Sequence, residues 1–396
     1  MPMRGSREPT WNAVEEAVGA VATSFVEDRH DRQRRRELDP ADFDRLADAG
    51  FLLTAVPRES GGLFESAERS VRPVAGLLRT LGAADASVAL VASMHATVPF
   101  VCGWLSDLEP PADLEEAWHE QCRFVARTAL EGGWWGTITS EPGTAVDTRK
   151  TRTRAVRSAA GGYRLTGTKH FGSGSGVMSY MMTTALPDGE AEPDVFYLDL
   201  RDRAWDGRDG VTLASEWDGH GMTATQSHGF RFDGVEATRV AWPGVLAREP
   251  VRASSYVSTL YASVIVGVVD AAMTAAGERL RQRAPTRGAF ERVAWMRAHN
   301  EAWLVSRAFE GMIASVEAGS GDAGAITGKI VLGELSESVL TRLCRVLGGG
   351  TYARHSPFGF WSQDVRALGY LRPPWALAFR SLEEHLLPGE HGTLET

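Results

Sequence analysis

Few residues in this chain are marked for chemistry by type and spacing alone. Cys102, Cys122 and Cys344 lie far apart and form neither a CxxC pair nor a metal-ligand pattern. Sparse, odd-numbered thiols suit a reducing compartment. His170, His220 and His228 fall in one stretch, but their spacing is not that of a metal site, and each reads equally well as a solvated loop residue. His95, in VASMHATVPF, stands alone on a helical run and suits packing as well as proton transfer. Glu141, Glu216 and Asp218 sit in or near loops where a carboxylate could accept a proton. Arg372 precedes Pro373 and Pro374, which end a helix and stiffen its exit. A guanidinium keeps its proton in any ordinary site, so Arg372 offers a planar fork of donors to an anion, or an outward ion pair, but no base. No GxGxxG follows a strand, so no nicotinamide site is expected.

The chain must be large enough to position such groups. Its 396 residues suggest two or three domains, and 43% hydrophobic with 23% charged residues is the balance of a folded globular protein. A net charge of −9 argues against nucleic acid as a main partner, because phosphate binding needs a basic surface, and weakly against an anionic membrane. The opening MPMRGSREPTWNAVEE has no apolar core of signal-peptide length, and no run is expected to span a bilayer. The expected location is the cytoplasm.

Periodicity divides the chain into three. Apolar residues recur at helical spacing over 13–28, 40–51, with Asp39 as N-cap, and 74–101, with a small-residue break at Gly82–Ala83. From Trp134 the pattern changes to short β-like runs: WWGTITS, TRAVRS, YRLTGTKHF, SYMMTTA, DVFYLDL, VTLASEW and HGFRFDGV. Helical spacing returns over 254–283, 290–315, 326–347 and 375–387. The expected fold class is α+β, with an N-terminal α-helical domain at 1–133, a middle β-barrel or sandwich domain at 134–243 and a C-terminal α-helical bundle at 244–396.

This order, with five motifs inside it, resembles the acyl-CoA dehydrogenase superfamily. The matching stretches are LADAGFLLTAVPRESGG, TITSEPGTAVD, LTGTKHFGSGS, FRFDGVEATRVAWPG, and Lys329 followed by VLGGGTYARHSPFGFWSQDVRA. The resemblance implies a flavin, FAD with FMN as an alternative. Thr137, Thr139 and Ser140 would bind its ring, Phe171 would stack on it and Ser173 would face its N5. An aromatic face and placed edge donors are what a flat apolar cofactor needs. It also implies that Gly348, Gly349 and Arg283 approach a diphosphate bound by a neighbouring subunit, with Arg287 competing for the arginine's role, and that the protein is a homodimer or homotetramer.

One family feature is missing. The dehydrogenases use a glutamate to remove a proton α to a thioester, eight residues after the aspartate of an R-D pair. Here that aspartate is Asp364 and the eighth residue on is Arg372. The helix that carries the base in other members, SSYVSTLYASVIVG here, has no Asp or Glu. Losing a positioned base typically costs roughly 10²–10⁴-fold in rate. The sequence therefore resembles the family's flavin monooxygenases, such as dibenzothiophene monooxygenase and the amino-sugar nitrososynthases. That implies an enzyme using reduced flavin and O2 on a small organic substrate, served by a separate flavin reductase, with Arg372, His95 and Ser173 as catalytic candidates. Two alternatives stay open at this point: an acyl-thioester dehydrogenase with a relocated base, and a non-catalytic partner subunit.

Overall fold

The computed structural model describes residues 9–97, 109–144, 147–159, 161–248, 251–283 and 288–387. Cys102 and Arg287 lie outside the described residues. The N-terminal part contains α1 (Trp11–Glu27), α2 (Arg29–Arg32), α3 (Pro40–Asp48), α4 (Ala67–Ala84), α5 (Ala86–Ala96) and α6 (Glu115–Leu130). Asp39 caps α3 through Ala41 N, as the sequence predicts. The helical run expected over 74–101, with its break at Gly82–Ala83, is two helices over its described part, 74–97. The break falls at Asp85, whose side chain caps α5 by accepting from Val88 N. Gly82 stays helical because α4 packs backbone to backbone against a later helix: a Cβ there would lie 2.4 Å from the Val264 carbonyl oxygen.

The middle part holds β1 (Trp135–Thr137), β2 (Arg154–Arg157), β3 (Tyr163–Gly172), β4 (Tyr180–Pro187), β5 (Asp194–Asp199), β6 (Val211–Ser215) and β7 (His228–Arg239). Pairings run β4–β2–β3–β7–β5 and close through β5 onto β4, so these strands form a barrel. β1 adds in parallel to β4 and β6 joins β7 antiparallel. α6, which the hydrophobic pattern did not reveal, lies against this barrel: Trp118, Cys122 and Val125 share a core cluster with Trp135, Tyr180 and Trp242.

A buried ion pair anchors the strand that leads to the site. Lys169 Nζ lies 2.6 Å from Glu141 Oε1, with both side chains nearly inaccessible. Glu141 also accepts from Arg152 N at 2.6 Å, Thr153 N at 3.1 Å and Thr153 Oγ1 at 2.7 Å, and from the Thr151 hydroxyl. Burial alone would raise the Glu141 carboxyl, but the Lys169 charge and these hydrogen bonds outweigh it and hold it well below the usual range.

The C-terminal part is α7 (Val251–Gln282), α8 (Ala289–Glu317), α9 (Ala323–Leu347), α10 (Pro357–Asp364) and α11 (Trp375–Leu386). α7 corrects one expectation: Ala253–Gln282 is long and apolar enough to cross a membrane, with mean hydropathy 1.6 in its most apolar window. That window is 78% buried inside the protein, so its apolar surface packs against the protein's own helices. α8 by contrast leaves Phe290, Val293, Met296 and Trp303 exposed.

Candidate functional site

α5, the barrel, α7, the 217–227 loop and the segment after α10 enclose a chamber of about 530 Å³. It gathers Thr137, Thr139 and Ser140 from β1 and the residues after it, Phe171 and Ser173 from the end of β3, and Arg372. Leu90, Met94, Trp217, Met222 and Tyr261 supply most of its apolar wall. A second chamber of about 170 Å³ adjoins it and shares Thr137, Thr139, Tyr261, Arg372 and Pro374. Thr97, Thr148, Thr183, Thr184 and Ser254 bring further hydroxyls to the smaller chamber.

Phe171 is held in an unusual backbone state. Its φ is +60°, in the left-handed region that bulky residues avoid. The β3–β7 register shifts between Lys169 and Gly172, which turns the Phe171 ring out of the strand. The ring is 56% exposed and meets Trp217 edge-on, with centroids 6.2 Å apart. Local strain of this kind persists only where the surroundings impose it, and here buried Lys169 fixes the strand on one side. An aromatic turned outward at such a cost offers a face on which a flat ring could stack.

Arg372 lines the same chamber, where its Nη2 donates to Thr139 Oγ1 at 2.9 Å. The loop that carries it is fastened from behind. Lys329 on α9, 1% exposed, donates from Nζ to Leu371 O at 2.8 Å and to Pro373 O. Burial draws the Lys329 amine down to about 7. The motif match at Lys329 does not reveal this role, since a lone lysine on a helix otherwise reads as solvated.

Asp364 fastens the loop on the chamber's other wall. Its buried carboxylate accepts from Met222 N at 2.7 Å. Burial pushes the carboxyl up to about 7, against the opposing effect of that N–H. A raised acid favours folding in its protonated form. That contribution is complete below the unfolded value near ~4 and is lost as pH rises through about 7. Asp364→Asn keeps an acceptor for Met222 N without the charge. Its stability relative to wild type is therefore expected to rise between pH 5 and 8, by about 3 kcal/mol, in paired thermal or urea melts. A constant difference across that range would contradict the assignment.

The structure does not bring His95 to the chamber among the described residues. It is fully buried on α5 and outside the chamber lining. Its Nε2 donates to Leu52 O at 3.1 Å, and its Nδ1 accepts from Trp135 N at 3.2 Å. Both ring nitrogens are thus spent on backbone, and burial draws the ring down to about 4, so it stays neutral. It joins α5 to β1.

Of the carboxylates considered as substitute bases, Glu141 is locked in its ion pair and Glu216 is exposed outside the chamber lining. Asp218 lines the chamber, but its side chain is 85% exposed and lies 3.2 Å from Arg36. Among the described residues no carboxylate faces the inner wall near Arg372. His228 Nδ1 accepts from Trp217 N at 2.9 Å, while His220 stands at the chamber's edge.

Arg283, Gly348 and Gly349 are not brought to this chamber. Arg283 lines a separate pocket of about 340 Å³ with Arg279, Leu347, Gly350, Thr351 and His355. Gly348, at φ +84°, caps α9 by donating to Cys344 O at 2.9 Å. Gly348 thus caps the helix, a role compatible with approach to a neighbouring subunit's diphosphate.

The residues of the main chamber fit a flavin ring: an outward aromatic, a hydroxyl edge and a cation beyond it. Phe171→Ala is expected to weaken FMN retention about tenfold, read by fluorescence titration, in line with the loss of one aromatic contact. Unchanged affinity would put the ring elsewhere.

Comparison with known proteins agrees with this fold. Residues 136–235 match the family described as acyl-CoA dehydrogenase, middle domain. Over 373 residues the chain is 28% identical to the amino sugar nitrososynthase DnmZ of Streptomyces peucetius, covering 87% of this chain and 85% of that one. The structure of KijD3 in complex with FMN and dTDP-3-amino-2,3,6-trideoxy-4-keto-3-methyl-D-glucose aligns with TM-score 0.80 at 20% identity, over 98% of this chain and 96% of that one. FMN-bound TdsC from Paenibacillus sp. A11-2, a dibenzothiophene monooxygenase, aligns with TM-score 0.78 at 19% identity, over 96% and 99%.

Proposed function

We infer that this chain, acyl-CoA dehydrogenase-like in its middle domain and across its whole fold, is a flavin-dependent monooxygenase that uses reduced flavin and O2 on a small organic substrate. The observation that carries this reading is Arg372. By its spacing from Asp364 it corresponds in sequence to the dehydrogenases' base, and its guanidinium donates to Thr139 on the chamber wall. A permanently charged donor cannot take the α-proton of a thioester, but it can hold an anion or polarise an oxygen.

Reduced flavin would supply two electrons, so that one atom of O2 enters the substrate and the other leaves as water. The chain's own residues do the rest. Phe171 and Trp217 provide the apolar walls, Thr137, Thr139 and Ser140 the polar edge, and Tyr261 and Arg372 the partition between the two chambers. The hydroxyl-rich smaller chamber suits a substrate with several hydrogen-bonding groups. FMN is favoured over FAD because the relatives' structures hold FMN. A separate reductase would deliver the reduced flavin. The exposed apolar residues of α8 support a homo-oligomer, in which they would be covered.

The experiment supplies reduced FMN, isotopically labelled O2 and candidate amine, sulfur and heteroaromatic substrates to the purified protein. One labelled oxygen atom in the product is expected. Product that takes its oxygen from water would refute the reading.

A further inference from the structure

Three hydroxyls form a row on the chamber wall beside Phe171. Ser173 Oγ lies 2.8 Å from Ser227 Oγ, and Ser227 Oγ lies 2.8 Å from Thr225 Oγ1. The row ends where Thr225 Oγ1 donates to the Met222 carbonyl at 2.9 Å. All three side chains are buried and all line the chamber.

A hydroxyl has one hydrogen to give and two lone pairs to receive with. A carbonyl can only accept, so the bond to Met222 uses the one hydrogen of Thr225. Ser227 must then donate to Thr225, and Ser173 must donate to Ser227. Ser173 is left presenting lone pairs to the chamber. The backbone fixes this row at both ends. Asp364 holds Met222 N at 2.7 Å, and Gly174 N donates to Thr225 O at 2.8 Å, which ties the Ser173 turn to the Thr225 turn.

This matters because N5 of a flavin changes character on reduction. The oxidised ring offers a lone pair there and needs a donor; the reduced ring carries a hydrogen and needs an acceptor. Resting on the flavin reading above, we propose that Thr225 and Ser227 are positioning residues that orient Ser173 as an acceptor, so that the site selects reduced over oxidised flavin. A protein that takes up flavin already reduced gains from such a bias, because oxidised flavin then competes poorly for the chamber. The device is built wholly from neutral hydroxyls, so the preference does not depend on pH through these groups.

The test measures the dissociation constants of oxidised FMN and, without oxygen, reduced FMN. The proteins are wild type, Ser227→Ala, Thr225→Val, Ser173→Ala and the Ser173→Ala/Ser227→Ala double variant. Wild type is expected to bind reduced FMN more tightly. Ser227→Ala and Thr225→Val each free the Ser173 hydrogen to turn toward the ring. Each should shift the affinity ratio about tenfold toward oxidised FMN, the worth of one hydrogen bond. For a two-electron couple that is a midpoint potential about 30 mV lower. In the Ser173→Ala background, Ser227→Ala should change nothing further. A purely structural role would weaken both redox states equally. The proposal is overturned if both single variants keep the wild-type ratio, or if the Ser227→Ala shift persists without Ser173. Wild type that binds neither form would remove the flavin reading as well, whereas tight binding with an unmoved ratio would remove this inference alone.

Discussion

Arg372→Ala is expected to lower oxygen-dependent turnover by roughly 10²–10⁴-fold, the usual loss when a positioned charged donor leaves an enclosed site. FMN binding should change much less, because the proposed flavin contacts are to Phe171, Thr137 and Ser140, which also line the chamber. Arg372→Lys keeps the charge but not the planar fork that reaches Thr139, so it should recover only part of the loss. Steady-state rates with reduced FMN supplied in excess would check this, with FMN affinity measured on the same preparations. A rate for the alanine variant within a factor of two or so of wild type would show that the guanidinium serves packing alone.

The second large effect concerns stability. Glu141→Gln leaves Lys169 buried beside a neutral amide, and removing one partner of a buried pair costs about 3–5 kcal/mol. The urea midpoint should fall accordingly. Flavin retention should fall with it, since Lys169 anchors β3 two residues before Phe171. A Glu141→Gln/Lys169→Met double variant removes the stranded charge and should regain much of the stability. If the double variant is no more stable than the single one, the hydrogen bonds from Thr151, Arg152 and Thr153 to Glu141 are the dominant contribution, not the ion pair.

Much of this architecture was legible in the sequence. The seven β-like runs became seven strands because alternation and turn chemistry are local signals. The barrel's closure through β4 was not legible, since it depends on pairing between distant strands. α6 was missed because its sequence, EEAWHEQCRFVARTAL, is largely polar with a narrow apolar face, and only the barrel beside it explains that face.

The site was legible to a similar depth. Motif order placed Thr137, Thr139, Ser140, Phe171, Ser173 and Arg372, and the fold brings them to one chamber. It could not show that His95 spends both nitrogens on backbone, because Leu52 and Trp135 are distant in sequence. Nor could it show what Lys329, Ser227 or Thr225 hold in place. A helical lysine and two loop hydroxyls carry no pattern of their own, and they acquire roles only through partners the fold supplies.

The central claim is that the chain has no base for dehydrogenation and works on oxygen instead. Its most direct test mixes the FMN-loaded protein with a panel of acyl thioesters in the absence of oxygen and follows the flavin absorbance. The account predicts that the yellow colour persists with every thioester, while the reduced-FMN form consumes O2 with a small organic substrate. Rapid bleaching by a thioester would mean that a base acts in the chamber, and would contradict the account.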